Sequence, residues 1–409
     1  MNKKKKIFIL QNSQVSFGLD AAVIFNPEQY DLYLIVNNFG HDIVLKKNQQ
    51  HFYSQIHVTQ NFDAAFLIRL ILSESNEYLF DVVTNSEETM PICGKIRKEF
   101  GLDEEDYARF YDKHVMKQRL LSKQFEYVPR YSVFDSARFL CEKETYLKEL
   151  LSDLEFPLFA KPVQCYSSIN LCKLHNFDEL QRWAQTVPVG ELFEIDEFID
   201  GTMYHCDSYI QNGKIVLTLV SMNSRPCYNF TQGEMKGTIV LPADHPDTML
   251  LQDFTRNVLQ ALGMPKAGVT HLEVIKKADQ RIYFIEIAHR SPGCLIPKMY
   301  QHHAMIDTIA SHFLLQINPE YNFKPKLNHY AAWACYPKKP GKVMAFKSLP
   351  ENLNSHCEVE WFVSLHEDIS HYSRHGRDYT GTLFMTNPDF DTLYKEFIEL
   401  NDENLCVIQ

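Results

Sequence analysis

The chain opens as short apolar runs set between polar turns. Ile7–Leu10, Leu32–Val36, Ile43–Leu45 and Leu79–Val83 predict buried strands, and Phe62–Leu72 and Pro91–Phe100 predict helices. Strands alternating with helices in this way predict a parallel sheet with crossover connections. An acidic break at Asp103–Asp106 precedes a predicted helix over Tyr107–Leu121, and the alternation resumes from 127 to 190. Residues 192–290 are strand-rich, with one helix over Thr248–Leu262. Beyond the connector Asn318–Pro325 come short strands and a helix over Asp389–Leu400, with no internal repeat or low-complexity tract. A chain of 409 residues is too long for one core. The changes of pattern divide it into 1–106, 107–190, 191–325 and 326–409.

Gly268–Gly293 carries the strongest chemical signal. Two alternating apolar runs flank a polar turn at Lys276–Arg281, as adjacent antiparallel strands do. Glu273 and Glu286 interrupt those runs. A carboxylate in a buried strand is costly unless a cation or hydrogen bonds compensate it. Two on neighbouring strands suit a hard cation such as Mg²⁺, which one or two carboxylates and nucleotide phosphates commonly hold. Arg290 follows Glu286 by one helical-turn length of sequence and adds a fixed positive charge beyond that point. The set suits phosphoryl transfer from a Mg-nucleotide to an acid. Taken alone, the hairpin reads equally well as two solvent-facing glutamates.

Composition narrows the class. At 45% hydrophobic and 13% aromatic residues the chain can build substantial cores. A net charge of −11 argues against a nucleic-acid or anionic-membrane partner. The Lys3–Lys6 run precedes an apolar stretch, Ile7–Leu10, too short for a signal peptide, and no run approaches a membrane span. The ten cysteines show no C-x-x-C or zinc-like spacing. Reduced thiols in a cytoplasmic protein are therefore expected. The loop after the first strand holds only Phe17-Gly18, so a dinucleotide site there is not expected. His302-His303 reads as helix surface, and His366, His371 and His375 lack zinc-like spacing.

Five motifs follow one another along the chain. They are Asp112-Lys113 opening a helix that reaches Met116-Lys117, Phe156-Pro-Leu-Phe-Ala-Lys161-Pro162, Glu194-Ile-Asp196-Glu197-Phe198-Ile199-Asp200-Gly201, Thr270-His271-Leu-Glu273, and Glu286-Ile-Ala-His-Arg290-Ser-Pro-Gly293. In this order they resemble the ATP-grasp superfamily of carboxylate–amine ligases, and within it the L-amino-acid (dipeptide-forming) ligases and carnosine-synthase-like proteins. The resemblance covers residues 1–325 well and the tail more loosely. It implies an α/β ATP-grasp fold: a Rossmann-like pre-ATP-grasp domain, small and large ATP-grasp subdomains, and a small C-terminal α+β extension.

The resemblance also implies site roles. Lys113, Lys161, Ser167 and Ser168 would hold ATP phosphates, and Asp196, Glu197, Phe198 and Ile199 would meet adenine, the backbone of Glu197 and Ile199 reading its edge and Asp196 or Glu197 additionally reaching its amino group or the ribose. Glu273 and Glu286 would hold one or two Mg²⁺ ions, for which Mn²⁺ can substitute. Arg290 would stabilise an acylphosphate. Amides of Ser291, Pro292 and Gly293 form the turn expected to bind the substrate carboxylate, with Arg225 a further anion contact. His271 would face substrate, its role as a base left open. Lys161 is not expected to be a packing residue, so Lys161→Ala should leave the fold intact.

Three positions depart from the family pattern. The loop Gln164–Asn170 has no glycine, Met203 stands where relatives carry a ribose-binding glutamate, and Ala288 replaces a metal-binding asparagine. The activity implied is ATP-dependent joining of a small acid, an amino acid, to an amine, in a chain compatible with a homodimer. A nucleotide-binding protein without turnover, or a ligase for another acid and amine, stays open at this point.

Overall fold

The computed structural model describes residues 4–13, 17–75, 79–102, 107–163, 170–401 and 403–409. Strands β1 (Lys5–Gln11), β2 (Tyr30–Val36), β3 (Gln55–Val58) and β4 (Phe80–Val83) form a parallel sheet ordered β3-β2-β1-β4. β1 is apolar over Ile7–Leu10 because both its faces are covered there. Ile7 and Ile9 enter one core, while Phe8 and Leu10 enter the other.

Ile43–Leu45, expected as a strand, lies in the helix Asn38–Lys46. Asn37 caps that helix by accepting the Gly40 N–H at 2.9 Å, and of the three apolar residues only Val44 is buried. The strand at that edge is Gln55–Val58, whose half-exposed sequence carries little apolar signal. The helix expected over Tyr107–Leu121 is broken as well. A 3₁₀ turn at Tyr107–Phe110 ends before a new helix begins at Lys113.

Strands β5 (Tyr131–Asp135), β6 (Leu158–Pro162), β7 (Cys172–Leu174) and β8 (Leu192–Glu197) make an antiparallel sheet ordered β5-β8-β6-β7. The rest of the chain supplies β9 (Thr202–Gln211), β10 (Lys214–Asn223), β11 (Lys236–Val240), β12 (Gly268–Lys276) and β13 (Ile282–Ala288). It continues with β14 (Tyr330–Pro337), β15 (Gly341–Phe346), β16 (His356–Trp361), β17 (Asp368–Ile369), β18 (Tyr379–Asn387) and β19 (Cys406–Ile408). An eight-stranded sheet runs β13-β12-β9-β10-β11-β14-β18-β16, so the C-terminal strands extend the sheet that carries the Gly268–Gly293 hairpin. No helix among the described residues is long and apolar enough to cross a membrane.

Helix Thr308–Ile317 locks this sheet to the N-terminal one. Its Ala310, Phe313, Leu314 and Ile317 share a core with Ile7, Ile9, Leu32 and Leu34. His312 makes the polar half of the joint: Nδ1 accepts the Val269 N–H at 3.0 Å, and Nε2 donates to Thr84 O at 2.9 Å. The bond accepted by Nδ1 requires the neutral ring. Burial, then the neighbouring His289, lowers its pKa to about 3, and burial lowers that of His289 to about 4. Both values lie below the unfolded histidine value near 6.5, so the unfolded chain binds more protons in between. Stability is therefore complete above about pH 6.5 and falls as pH drops toward about 3. From pH 7 to pH 5 each ring is expected to cost about 2 kcal/mol. Urea unfolding at the two pH values should show that loss. His312→Leu should lower stability at pH 7 by about 2–4 kcal/mol and remove roughly half of the acid-side loss. An unchanged pH dependence in the variant would refute the assignment.

Candidate active site

Separate elements bring two lysines to one cavity of about 610 Å³. Asp112 caps the helix Lys113–Ser122 by accepting the Val115 N–H at 3.0 Å, which sets Lys113 in its first turn. The Lys113 N–H donates to Val163 O at 3.3 Å, just past β6, so the helix start sits beside the strand carrying Lys161. Lys161 Nζ lies 2.9 Å from Asp196 and 3.2 Å from Glu194, both on β8. Lys117, a helical turn after Lys113, meets Asp196 at 2.6 Å and Glu194 at 2.5 Å.

These four buried side chains balance in charge. Burial opposes ionisation of Glu194, but Lys117 and Lys161 outweigh it and hold the carboxyl at about 2. Asp196 is pushed up to about 6 by burial and then by Glu194, which makes it the member that most readily accepts a proton. Lys161 is therefore a partner in a buried ion network, contrary to the expectation that its loss leaves the fold intact. Removing one member of such a network leaves an uncompensated charge, at a cost of about 3–5 kcal/mol.

The hairpin expected at Gly268–Gly293 is present, and its register sets Glu273 directly opposite Glu286. Like charges facing one another across two strands are unfavourable. Lys113 Nζ offsets Glu286 at 3.0 Å, and His271 Nε2 lies 3.5 Å from Glu273. Burial opposes the charge on Glu273, yet His271 and then Arg290 hold its carboxyl below its usual range. Two oxygen-donor side chains opposed on one sheet face and lining the cavity fit a hard divalent cation. Ala288, opposite His271, adds no donor.

Arg290 lies beyond the pair, its Nε 2.7 Å from Glu87 and its Nη1 donating to Ser291 O at 2.9 Å. Asn85 grips the same turn, accepting the Ser291 N–H and donating to Ser291 Oγ, each at 2.8 Å. The Ser291 amide, expected to meet substrate, is thus occupied. Pro292 has none to offer, and the Gly293 N–H makes no hydrogen bond among the described residues. Arg225 also lines the cavity, but its guanidinium is turned to Asn401 O at 3.0 Å and Glu234 at 3.4 Å.

Behind the hairpin, Asp207 accepts from Nδ1 of both His205 and His271, each at 2.7 Å, and from the Tyr300 hydroxyl at 2.6 Å. Among the described residues, His205, Asp207 and His271 are the group spaced closely enough to share a metal. Their Nδ1 atoms, however, are spent on the carboxylate. Burial works against ionised Asp207, and the two histidines overcome it. Burial also works against protonated His271, but Asp207 and Glu273 raise its pKa to about 10.

No protein-family profile and no curated protein matches the sequence. Solved structures do match over the whole chain. The L-amino acid ligase of Bacillus licheniformis superposes with a TM-score of 0.71 at 16% identity, covering 100% of both chains. The chain has the ATP-grasp fold. Phosphoribosylglycinamide synthetase of Anaerococcus prevotii gives 0.64 at 16% identity over 99% of this chain and 100% of that one. The carboxyaminoimidazole ribonucleotide synthase of Aspergillus clavatus, solved with ATP, gives 0.64 at 11% identity over 98% and 99%.

Within this ATP-grasp fold the segment expected to meet adenine follows β8. Asp196 is held by the two lysines, and Glu197 accepts from Arg130 N at 2.9 Å and Nε at 3.0 Å. Both line the cavity, and both are already engaged by protein donors. The backbone is selectively open instead. The Glu197 N–H donates to Arg130 O and the Phe198 N–H to Pro157 O, while the Ile199 N–H has no partner among the described residues. Phe159, Phe198 and Tyr228 form an aromatic wall there, with Phe159 and Tyr228 ring centroids 5.3 Å apart. Met203 lines the same end of the cavity. Ser167 and Ser168 lie outside the described residues.

Several residues that hold the site together were given no role by the sequence reading. Lys117 and Glu194 were legible, the first at i+4 from Lys113 and the second two residues from Asp196 on the same strand face. Asn85 and Glu87 were not, because nothing local to the loop after β4 shows that it packs on the Arg290 turn. Of the paired histidines 302 and 303, expected on a helix surface, His303 is buried against His329 O.

Proposed function

We propose that the protein is an ATP-dependent ligase that joins a small carboxylate, an amino acid, to an amine through an acylphosphate, releasing ADP and phosphate. One observation carries the reading. The opposed Glu273 and Glu286 share a cavity wall with Lys113, Lys161 and Arg290, a cluster suited to a polyphosphate and a developing acyl charge.

In this reading Lys113 exchanges Glu286 for a phosphate oxygen, and Lys161 turns from Asp196 to another. Lys117 stays behind to balance Glu194 and Asp196. The Ile199 N–H and the Glu197 carbonyl bond the adenine edge against Phe159 and Tyr228. Glu273 and Glu286 would hold Mg²⁺, which when bound offsets charge on the transferred phosphoryl group. A substrate carboxylate oxygen attacks the γ-phosphorus as the bond to ADP breaks. The amine nitrogen then attacks the acyl carbon, the C–N bond forms, and phosphate leaves with the C–O electron pair and takes up the proton that the nitrogen loses. Arg290 bonds the acylphosphate and the oxyanion that develops on it. His271, its Nδ1 held by Asp207, serves as a contact for substrate.

The test is ADP and phosphate release measured across a matrix of amino-acid pairs with Mg-ATP. Stimulated release with at least one pair is expected. Nucleotide binding without release from any pair would replace the ligase reading with that of a nucleotide binder. Arg290→Lys is expected to keep ATP affinity within a few-fold and lose roughly 100-fold in turnover, since lysine lacks the planar bidentate contact. Normal turnover in that variant would make Arg290 structural.

A further inference from the structure

Lys236, on β11, is a charge with no counter-charge. It is 8% exposed and lines the cavity, yet no carboxylate lies within ion-pair distance of it among the described residues. Its hydrogen-bond partner is Cys294 Sγ at 3.5 Å, a weak acceptor for a group with three donors. Of the thiols around it, Cys227 is pushed up to about 12 by burial and then by Glu273, and burial raises Cys335 too. Phe230 and Trp333 present ring faces, their centroids 5.1 and 5.8 Å from Nζ. Such contacts are worth about 2 kcal/mol when desolvated, less than the several kcal/mol that burying an ammonium costs. Trp333 adds another donor without an acceptor, its buried indole N–H. The wall is short of acceptors.

Its place in the sheet says what it faces. Glu273 pairs with His205, His205 with Ser221, Asn223 with Thr238 and Thr238 with Trp333, so these residues and Lys236 share one face. Three strand spacings, about 14 Å in all, separate β12 from β11, and the lysine side chain spans part of that gap. The space left suits a small molecule held at one end by the Glu273 and Arg290 region. Arg377 and Tyr379 line the same end, with Arg377 Nη2 3.4 Å from where a side chain on Gly293 would begin.

We propose that Lys236 anchors the free carboxylate of the amine substrate, making that substrate an amino acid and not a simple amine. The assignment rests on the ligase reading of the cavity. A carboxylate has two oxygens that only accept, matching the spare donors of Lys236 and Trp333. It also supplies the negative charge that Lys236 lacks.

The experiment compares the parent, Lys236→Met and Lys236→Arg, using the twenty common amino acids and their α-amides as amines. In the parent, amino acids should give at least 30-fold lower KM than their amides. Lys236→Met should raise KM for the amino acid 30-fold or more, leave KM for ATP unchanged and abolish preference over the amide. Lys236→Arg should restore most of it, a rescue that a merely structural lysine would not show. Equal use of acids and amides by the parent, or preference retained in Lys236→Met, would overturn the assignment while leaving the ligase reading intact. Should the parent release no phosphate with any pair, the ligase reading fails and calorimetry with the same acids and amides decides. Acid-selective binding lost in Lys236→Met then supports the anchor, and its absence overturns it. If Lys236→Met does not fold, comparing the parent with Lys236→Arg across the amide series tests the anchor in the same way.

Discussion

Lys161→Met should lose ATP affinity by roughly 100-fold or more and turnover by about 1000-fold, and should also lose stability. The first two effects follow from the removal of a buried, charge-assisted phosphate contact, worth about 1.5–3 kcal/mol per hydrogen bond. The third follows from the ion network. With Lys161 gone, Lys117 alone faces Glu194 and Asp196, all of them buried. A cost of about 3–5 kcal/mol is expected. Asp196 can limit that cost by taking a proton, since its carboxyl already sits at about 6. The variant should therefore regain part of its lost stability as pH falls from 7 toward 5, in a double comparison with the parent that cancels the histidine term. Calorimetric ATP binding and urea unfolding at both pH values test this. Unchanged ATP affinity would remove Lys161 from the nucleotide site, and unchanged stability would remove it from the network.

Glu286→Gln should cut Mg²⁺-dependent turnover by roughly 1000-fold while preserving the hairpin. The amide keeps the shape but not the charge that a hard cation requires. Its effect on stability should be small and of either sign. Lys113 loses its partner at 3.0 Å, but Glu273 loses a like charge directly opposite. ATP affinity measured without Mg²⁺ should change less than affinity measured with it. A variant whose Mg²⁺ dependence matches the parent would take Glu286 out of the metal site, whatever its activity.

Both predictions concern residues that the sequence announced. Carboxylates at 273 and 286 broke apolar alternation on either side of a polar turn, and the strand periodicity already put each on the face of its neighbours. The register that opposes them was not legible: the turn's own pairing would set Glu273 opposite Ile285, and a β-bulge between Glu273 and Val274 brings Glu286 there instead. Lys113 was legible because Asp112 caps a helix locally. Lys161 was legible as a lysine stranded among Phe159, Ala160 and Pro162. The alternation of strands and helices in residues 1–100 likewise announced a parallel sheet, apart from Ile43–Leu45. There a short apolar run fits either period, and the Asn37 cap decided for helix.

What the sequence determined by itself were these local matters: element type, face and cap, each set by residues within a few positions of one another. What only the tertiary structure decided were the partners. Lys161 shares its carboxylates with Lys117, Arg290 and Ser291 are held by Glu87 and Asn85 some two hundred positions away, and Asp207 orients two histidines from different strands. Lys236 gave no sign in Met-Lys-Gly of being a buried charge without a counter-ion. The reason is electrostatic. Burial and ion pairing depend on which side chains share a small volume of low dielectric, and that volume exists only once distant strands have packed around it.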